Sequence, residues 1–377
     1  MVELGGQPGP VGVGQIGRHH LDPLQPLRWL LLDPAVQIVG RVARVSCPQH
    51  GPTVARVPWA DHDTRSTRAF DDQVAWLAVH SDATAVSELM RITWRTVGWI
   101  VARVSGRLSK GTDTLAGLRR IGIDEISFRR GHKYLIVVLD HDTNRLVWAA
   151  DGRDEKTLDR FFFELGEERL QLITHVTADA GNWIAPLVAL RCPNAVRCMD
   201  NFHVIQWATD ALDKVRREVW NAARRGGNKQ LAADLKKSRW ALWKGAENLT
   251  DRQRTRLGWI EKTNRPLYQA YLMKEQLRLI FMLPFDDALD VLEAWVGWAE
   301  TSTLAPFREV AKSIDKHLEA ILNSLVHELS NARVESLNTR IRLLTRRAFG
   351  FHSAKPLIGM AMLNFGGLQV ALPGRSA

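Results

Sequence analysis

Residues 121–151, IGIDEISFRRGHKYLIVVLDHDTNRLVWAAD, decide the fold. Ile121–Ser127 alternates apolar and polar residues, Lys133–Asp140 is a β-branched run and Arg145–Asp151 is another. Three strands joined by hairpin-length turns are predicted. The rhythm then changes. Glu155–Leu165 reads as a helix with Leu158 and Phe161 to Phe163 as its bulk, Leu172–Thr177 as a fourth strand, Trp183–Leu190 as a short helix and Ala195–Met199 as a fifth strand. A long helix starts near Asn201, and residues 201–345 are helical almost throughout, punctuated by Gly226-Gly227, Pro266, Pro284 and Pro306. The order β-β-β-α-β-α-β-α predicts an α/β fold, a mixed five-stranded sheet with helices on its faces.

Upstream, Phe70–His80 places Phe70, Val74, Leu77 and Ala78 on one helical face; Ser81/Asp82 offers a cap for a second helix, and Thr93 for a third running to about Val104. Two short helices, a tight turn and a longer basic helix make a helix-turn-helix pattern, though a plain three-helix packing unit fits the same residues. On the third helix Arg95 and Thr96 suit base edges, and Arg103 and Arg107 suit phosphates. Residues 1–40 show no period and read as irregular; Arg41–Ser46 reads as a short strand. It leads into Cys47-Pro48-Gln49-His50, which has the spacing of half a zinc ribbon. No second pair of donors lies nearby, so Cys47 and His50 are a zinc remnant at most.

The 377 residues carry a formal net charge of +10, with 51 Lys+Arg against 41 Asp+Glu, and 38 of the basic residues are arginine. Residues 201–260 hold 13 basic and 6 acidic side chains, and residues 331–377 hold 7 and 1. Arginine forks suit phosphate and guanine, so nucleic acid is the first partner to consider, beside a GC-rich coding bias. Three cysteines give no disulfide framework, and no apolar run is long enough to span a bilayer, so a soluble cytoplasmic protein is expected. Neither a GxxxxGK[ST] loop nor a GxSxG elbow is present. Cys192 and Cys198 read as inert core thiols.

Carboxylates at strand ends carry the chemistry. Asp124 lies inside the first strand, Asp179 ends the fourth and Asp200 ends the fifth, and in an open sheet functional groups collect beyond strand carboxyl ends. Far downstream, Glu335, Asn338 and Arg342 share one face of a basic helix. Converging carboxylates repel and pay desolvation, which hard divalent cations relieve; Mg²⁺ or Mn²⁺, as two ions about 3.5–4 Å apart, would clamp the oxygens of a phosphodiester.

GIDEIS (122–127), VTADAGNW (176–183), PNAVRCMDNFHV (193–204), ALDKVRRE (211–218) and SNARVESLNTRIRLLTRRAFGF (330–351) together resemble the bacterial insertion-sequence transposases of the ISL3 type, from about Arg44 to the C-terminus. The resemblance implies an RNase H-like core interrupted by a long all-helical insertion and preceded by a helix-turn-helix domain. It also implies a DDE triad of Asp124, Asp179 and Glu335 as catalytic residues and metal ligands. Asp200 and His203 match the family's DxFH signature and, with Asn338, are expected to support the site. Arg216, Arg217, Arg340, Arg342 and Arg346 join Arg95, Thr96 and Arg103 as expected DNA contacts. The partners implied are double-stranded DNA, as element ends and target, and further copies of the chain; a membrane is not among them. The expected division is 1–60 irregular with a zinc-ribbon-like remnant, 61–110 helix-turn-helix, 118–225 first part of the core, 226–325 insertion and 326–377 the closing catalytic helix. The upstream cysteine pair of the family is missing, so a truncated or frame-shifted start is expected. A decayed, non-catalytic DNA-binding remnant is the alternative to an active enzyme.

Overall fold

The computed structural model describes residues 26–30, 37–41, 44–49, 51–62, 64–179 and 183–373, with backbone alone for 26–30, 37–41, 45 and 47. The chain divides into two compact units, residues 1–104 with 369–377, and residues 105–368.

In the first unit, β1 (Pro26–Leu30) pairs antiparallel with β2 (Gln37–Arg41), and β3 (Arg44–Cys47) with β4 (Gly51–Val54). The β1–β2 pair corrects the reading of residues 1–40 as wholly irregular, because five-residue strands between prolines are too short to display a period of two. The helices α1 (Arg68–His80), α2 (Ala83–Leu89) and α3 (Trp94–Gly111) start where short polar side chains can satisfy free amides. Thr67 accepts from Phe70 N at 3.1 Å, Asp82 from Thr84 N and Ala85 N at 2.9 Å, and Thr93 from Thr96 N at 3.2 Å. Phe70, Val74, Val86, Met90, Val97, Ile100 and Val101 are buried, which is the expected helix-turn-helix packing, with the third helix seven residues longer than its apolar face suggested.

The second unit is built on one sheet. β5 (Arg120–Arg129), β6 (Lys133–Asp140) and β7 (Arg145–Asp151) form an antiparallel meander; β8 (His175–Ala178) joins β5 in parallel and β9 (Val196–Met199) joins β8 in parallel, giving the order β7-β6-β5-β8-β9. This mixed five-stranded sheet with flanking helices is RNase H-like. β8 starts three residues later than expected, since Leu172 and Ile173 close the turn after a short helix the apolar pattern did not reveal. The connecting helices are α4 (Glu155–Leu165), α5 (Glu167–Leu170) and α6 (Ile184–Arg191), followed by α7 (Asn201–Arg225). Ile121, Ile123, Ile136, Val138, Phe161, Phe162 and Val176 form the sheet's buried core.

The insertion comprises α8 (Lys229–Lys237), α9 (Arg239–Trp243), α10 (Asp251–Thr263), α11 (Arg265–Ile280), α12 (Phe285–Thr301), α13 (Ala305–Lys316) and α14 (Leu318–Val326). Its core is centred on fully buried Trp295, whose indole N–H donates to Met273 O at 2.8 Å, and it includes Leu212 of α7 and Met199 of β9, so the insertion is packed onto the sheet's edge. The chain then returns as α15 (Ala332–Arg347), lying on β5, and α16 (Ala354–Phe365), lying on β7. Among the described residues no helix is long and apolar enough to cross a membrane.

Candidate active site

The parallel register assembles the site. Ile123 stands opposite Ala178, and Ala178 opposite Met199. The next residue on each segment is an aspartate: Asp124, Asp179 and Asp200 therefore occupy one row, about 4.8 Å apart from segment to segment. β8 and β9 end there while β5 continues. The three acids thus line a step in the sheet.

Asp200 is buried and serves as the N-cap of α7, accepting from Phe202 N at 3.3 Å. One turn into that helix, His203 Nδ1 lies 3.0 Å from Asp179 Oδ1. The ligand atoms of Asp179, Asp200 and His203 all fall within 4.8 Å of one another, a grouping compact enough for one metal ion. Asp124 and Glu335 belong to the same electrostatic neighbourhood without entering that trio. The tightest donor group is accordingly Asp179, Asp200 and His203, whereas the sequence pattern placed Asp200 and His203 in support.

Asp124, Asp200 and Glu335 show the effect of burial and of their neighbours. Burial first, then the Asp179 carboxylate, and more weakly Asp200 and Glu335, push Asp124 up to about 7, against the Glu125 N–H that donates to it at 2.7 Å. Burial followed by Asp200 and Asp179 raises Glu335, opposed by Arg342 and His203. Burial and then Asp179 also raise Asp200, opposed by the Phe202 amide and His203. The hydrogen bond from His203 to Asp179 raises the histidine. A cluster that lifts its own carboxyl pKa values is one that cations would stabilise.

Helix α15 completes the site. Asn338 Nδ2 donates to Asp124 Oδ2 at 2.6 Å, while its buried Oδ1 has no partner among the described residues. The helix is anchored at its start: Asn331 is buried, donates to Ile123 O at 3.4 Å and accepts from Thr177 Oγ1, which is 2.7 Å from His141 Nε2. Arg333 donates to the His141 carbonyl. Gly122 permits this approach, because a Cβ there would meet Val334 Cγ2 at 2.4 Å and His141 Nε2 at 2.8 Å. His141, Thr177 and Asn331 were not singled out in the sequence; the nearest sequence signal is the glycine before Asp124.

The residues expected to contact DNA are dispersed. Arg95 and Thr96 are exposed at the start of α3. Arg103 is not free for a phosphate: its guanidinium grips the buried Asp71 with two bonds of 2.8 Å and donates to Ser66 Oγ at 3.1 Å. Arg216 and Arg217 both pair with buried Asp213, Arg216 nearly enclosed and Arg217 open to solvent. Arg342 and Arg346 are exposed on α15, and Arg340 lies 4.1 Å over the Phe365 ring. Cys192 and Cys198 are buried free thiols, each pushed up to about 11 by burial. The Cys47 side chain and His50 lie outside the described residues, and with them the zinc expectation.

Residues 121–360 match the family model for the transposase (DDE) region of ISL3 elements, and residues 55–105 match the model described as the helix-turn-helix domain of transposase family ISL3. The chain is 50% identical over 370 residues to the transposase for insertion sequence element IS1557 of Mycobacterium tuberculosis, in strains CDC 1551 / Oshkosh and ATCC 25618 / H37Rv, covering 92% of this chain and 83% of that protein. It is 27% identical over 314 residues to the transposase for insertion sequence element IS1001 of Bordetella parapertussis, covering 82% of this chain and 76% of that protein.

Proposed function

The chain belongs to the ISL3 family of insertion-sequence transposases, and from that footing we propose that it binds the terminal inverted repeats of its element and cleaves and joins DNA strands at Asp124, Asp179 and Glu335. The observation that carries this reading is the row of three aspartates fixed by the parallel register, with Glu335 brought to it on α15.

The donor chemistry suits a hard divalent ion: carboxylate oxygens predominate, and the one imidazole is tolerated by Mn²⁺ as well. Asp124, Asp179 and Glu335 would hold Mg²⁺ or Mn²⁺ as a pair of ions, with Asp200 and His203 adjoining. Bound metal supplies Lewis acidity, lowering the pKa of an attacking water or 3′-OH and offsetting charge on the departing oxygen.

The protein's part is positional. Asn338 fixes one oxygen of Asp124 and the Glu125 N–H the other, so the carboxylate is held in one orientation. His203 orients Asp179 through its Nδ1 hydrogen bond, and Asp200 is held as a helix cap. Arg342 acts on Glu335, and it and Arg346, both exposed on α15, would draw the DNA backbone to a site that otherwise repels it. In the first unit, Arg95 and Thr96 at the start of α3 would read base edges, as the leading residues of recognition helices do. We infer a homo-oligomer acting on paired ends, in the bacterial cytoplasm where its DNA resides.

The test is strand cleavage of the element's own ends with Mg²⁺. Asp124→Ala, Asp179→Ala and Glu335→Ala should each abolish cleavage and leave end binding intact. A Glu335→Ala protein cutting at the parent rate would refute the assignment.

A further inference from the structure

A cavity of about 520 Å³ opens where β9, α6 and the junction of α13 and α14 meet. It belongs wholly to the second unit and lies toward the start of β9, away from the acidic row. Arg197 projects into it from the edge strand. Residues 197 and 199 share a face of β9, and Met199 is buried in the insertion's core, so Arg197 points toward α13 and α14. Asn323 Nδ2 donates to Arg197 O at 3.1 Å and locks the strand against α14.

The Arg197 side chain is incompletely matched. It is half-buried, forms no ion pair with a described residue, and has one hydrogen-bond contact, 3.5 Å to His317 Nδ1. Five N–H donors on a fixed planar fork are thus left largely to whatever fills the cavity. Lys316 and His317 stand on the same wall, and Glu319 is the single acid in the lining. Burial lowers the pKa of Arg197 against the Glu319 carboxylate, which raises it, and burial, then Arg197 and Lys316, lower that of His317. The opposite wall is apolar, formed by Val188, Cys192 and Pro193.

We propose that this cavity is a nucleotide-phosphate site, in which Arg197 and Lys316 bind the phosphoryl oxygens and the apolar wall receives a base or sugar. Guanidinium and ammonium together fit a tetrahedral oxyanion, and a volume of this size admits one mononucleotide unit. The phosphate could be carried by a free nucleotide or by one unit of a DNA strand passing the edge of the sheet. The site does not depend on the catalytic assignment, because binding here requires none of the acids.

The experiment is a thermal-shift and equilibrium titration of the full chain with inorganic phosphate, a deoxynucleoside monophosphate and a short single-stranded oligonucleotide. These are compared across the parent, Arg197→Met, Lys316→Gln and Glu319→Gln. Arg197→Met keeps the apolar stem and removes the guanidinium, and loss of a charge-assisted bond should weaken monophosphate binding about ten- to hundredfold. Lys316 and Glu319 are exposed, so their variants fold; Lys316→Gln should weaken binding and Glu319→Gln should tighten it. A response confined to the oligonucleotide and sensitive to Arg197 identifies the DNA strand as the source, and a response to the monophosphate identifies a free nucleotide. Equal affinities for every ligand in the parent and Arg197→Met overturn the proposal, as does a parent that responds to none of the three. Unchanged binding in both Lys316→Gln and Glu319→Gln overturns the assignment of this wall to the phosphate.

Discussion

Gly122 sets the distance between the sheet and the helix that carries Glu335, and Gly122→Ala tests that directly. The new methyl would sit 2.4 Å from Val334 Cγ2, 2.8 Å from His141 Nε2 and 3.1 Å from Thr177 Oγ1. Carbon atoms pack at about 3.5–4.0 Å, so α15 must move off β5 by roughly 1.1–1.6 Å or its anchor must deform. Val334 is fully buried and β-branched, and therefore cannot swing aside at little cost. Overpacking of this kind costs about 1–3 kcal/mol, a fall of roughly 2–10 °C in the unfolding midpoint. The larger effect should fall on chemistry. Glu335 follows Val334 directly, and a misplacement of about 1 Å costs on the order of a hundredfold in rate. The assay is Mg²⁺-dependent nicking of a labelled element end, alongside end binding and a thermal melt. Cleavage should drop about a hundredfold while end binding holds, and Gly122→Ala/Val334→Ala should recover part of the loss because the obstructing methyl groups are gone. A folded Gly122→Ala protein that cleaves at the parent rate would show that close approach at Gly122 does not position Glu335.

Arg103→Met removes the partner of buried Asp71 and should destabilise the helix-turn-helix unit by about 3 kcal/mol, read by urea unfolding; Asp71→Asn/Arg103→Met should be less damaging than Arg103→Met. Arg95→Ala should cost about 1–3 kcal/mol in end binding and relax base preference at one position, measured by competition with altered repeats. His141 is depressed from 6.5 to about 4 by burial first and by Arg333 and Arg120; the unfolded chain therefore takes up the proton first, and stability that is full above about pH 6.5 declines toward pH 4 by on the order of 3 kcal/mol. Comparing urea midpoints at pH 7 and 4.5, His141→Gln should lose less on acidification than the parent. Chelation of divalent ions should stop cleavage without reducing end binding, and that binding should weaken by roughly 0.9 log units per log salt for each phosphate neutralised.

The parts legible in the sequence are those governed by neighbours in the chain. β6, β7 and α4 run Lys133–Asp140, Arg145–Asp151 and Glu155–Leu165, as the β-branched runs and the Asp154 cap require. Asp179 and Asp200 could be named as candidates because each follows the end of an apolar strand. What the sequence conceals is long-range pairing: Asn338 with Asp124 across 214 residues, Asn331 with Thr177 across 154, and Arg103 with Asp71 inside a unit where an outward arginine looked equally natural. A polar residue on a helix face gives no sign of whether water, DNA or a distant carboxylate will meet it.

That distinction bears on the basic excess. Arg103 and Arg216 are turned inward to single aspartates, Asp71 and Asp213, so neither adds a free charge to a DNA track. Arg342 remains outward beside Glu335 and partly offsets the acids, yet Glu335 still titrates above its ordinary value. One arginine does not balance the acids: Asp124, Asp200 and Glu335 are all raised, by burial first and then by neighbouring carboxylates. Protonation of Asp124 or His203 relieves part of that repulsion, and divalent cations held by oxygen donors would relieve it in the form most compatible with the proposed phosphodiester substrate. On the proposed function, end binding should therefore survive removal of divalent ions while cleavage should not, and the chelation experiment reads both.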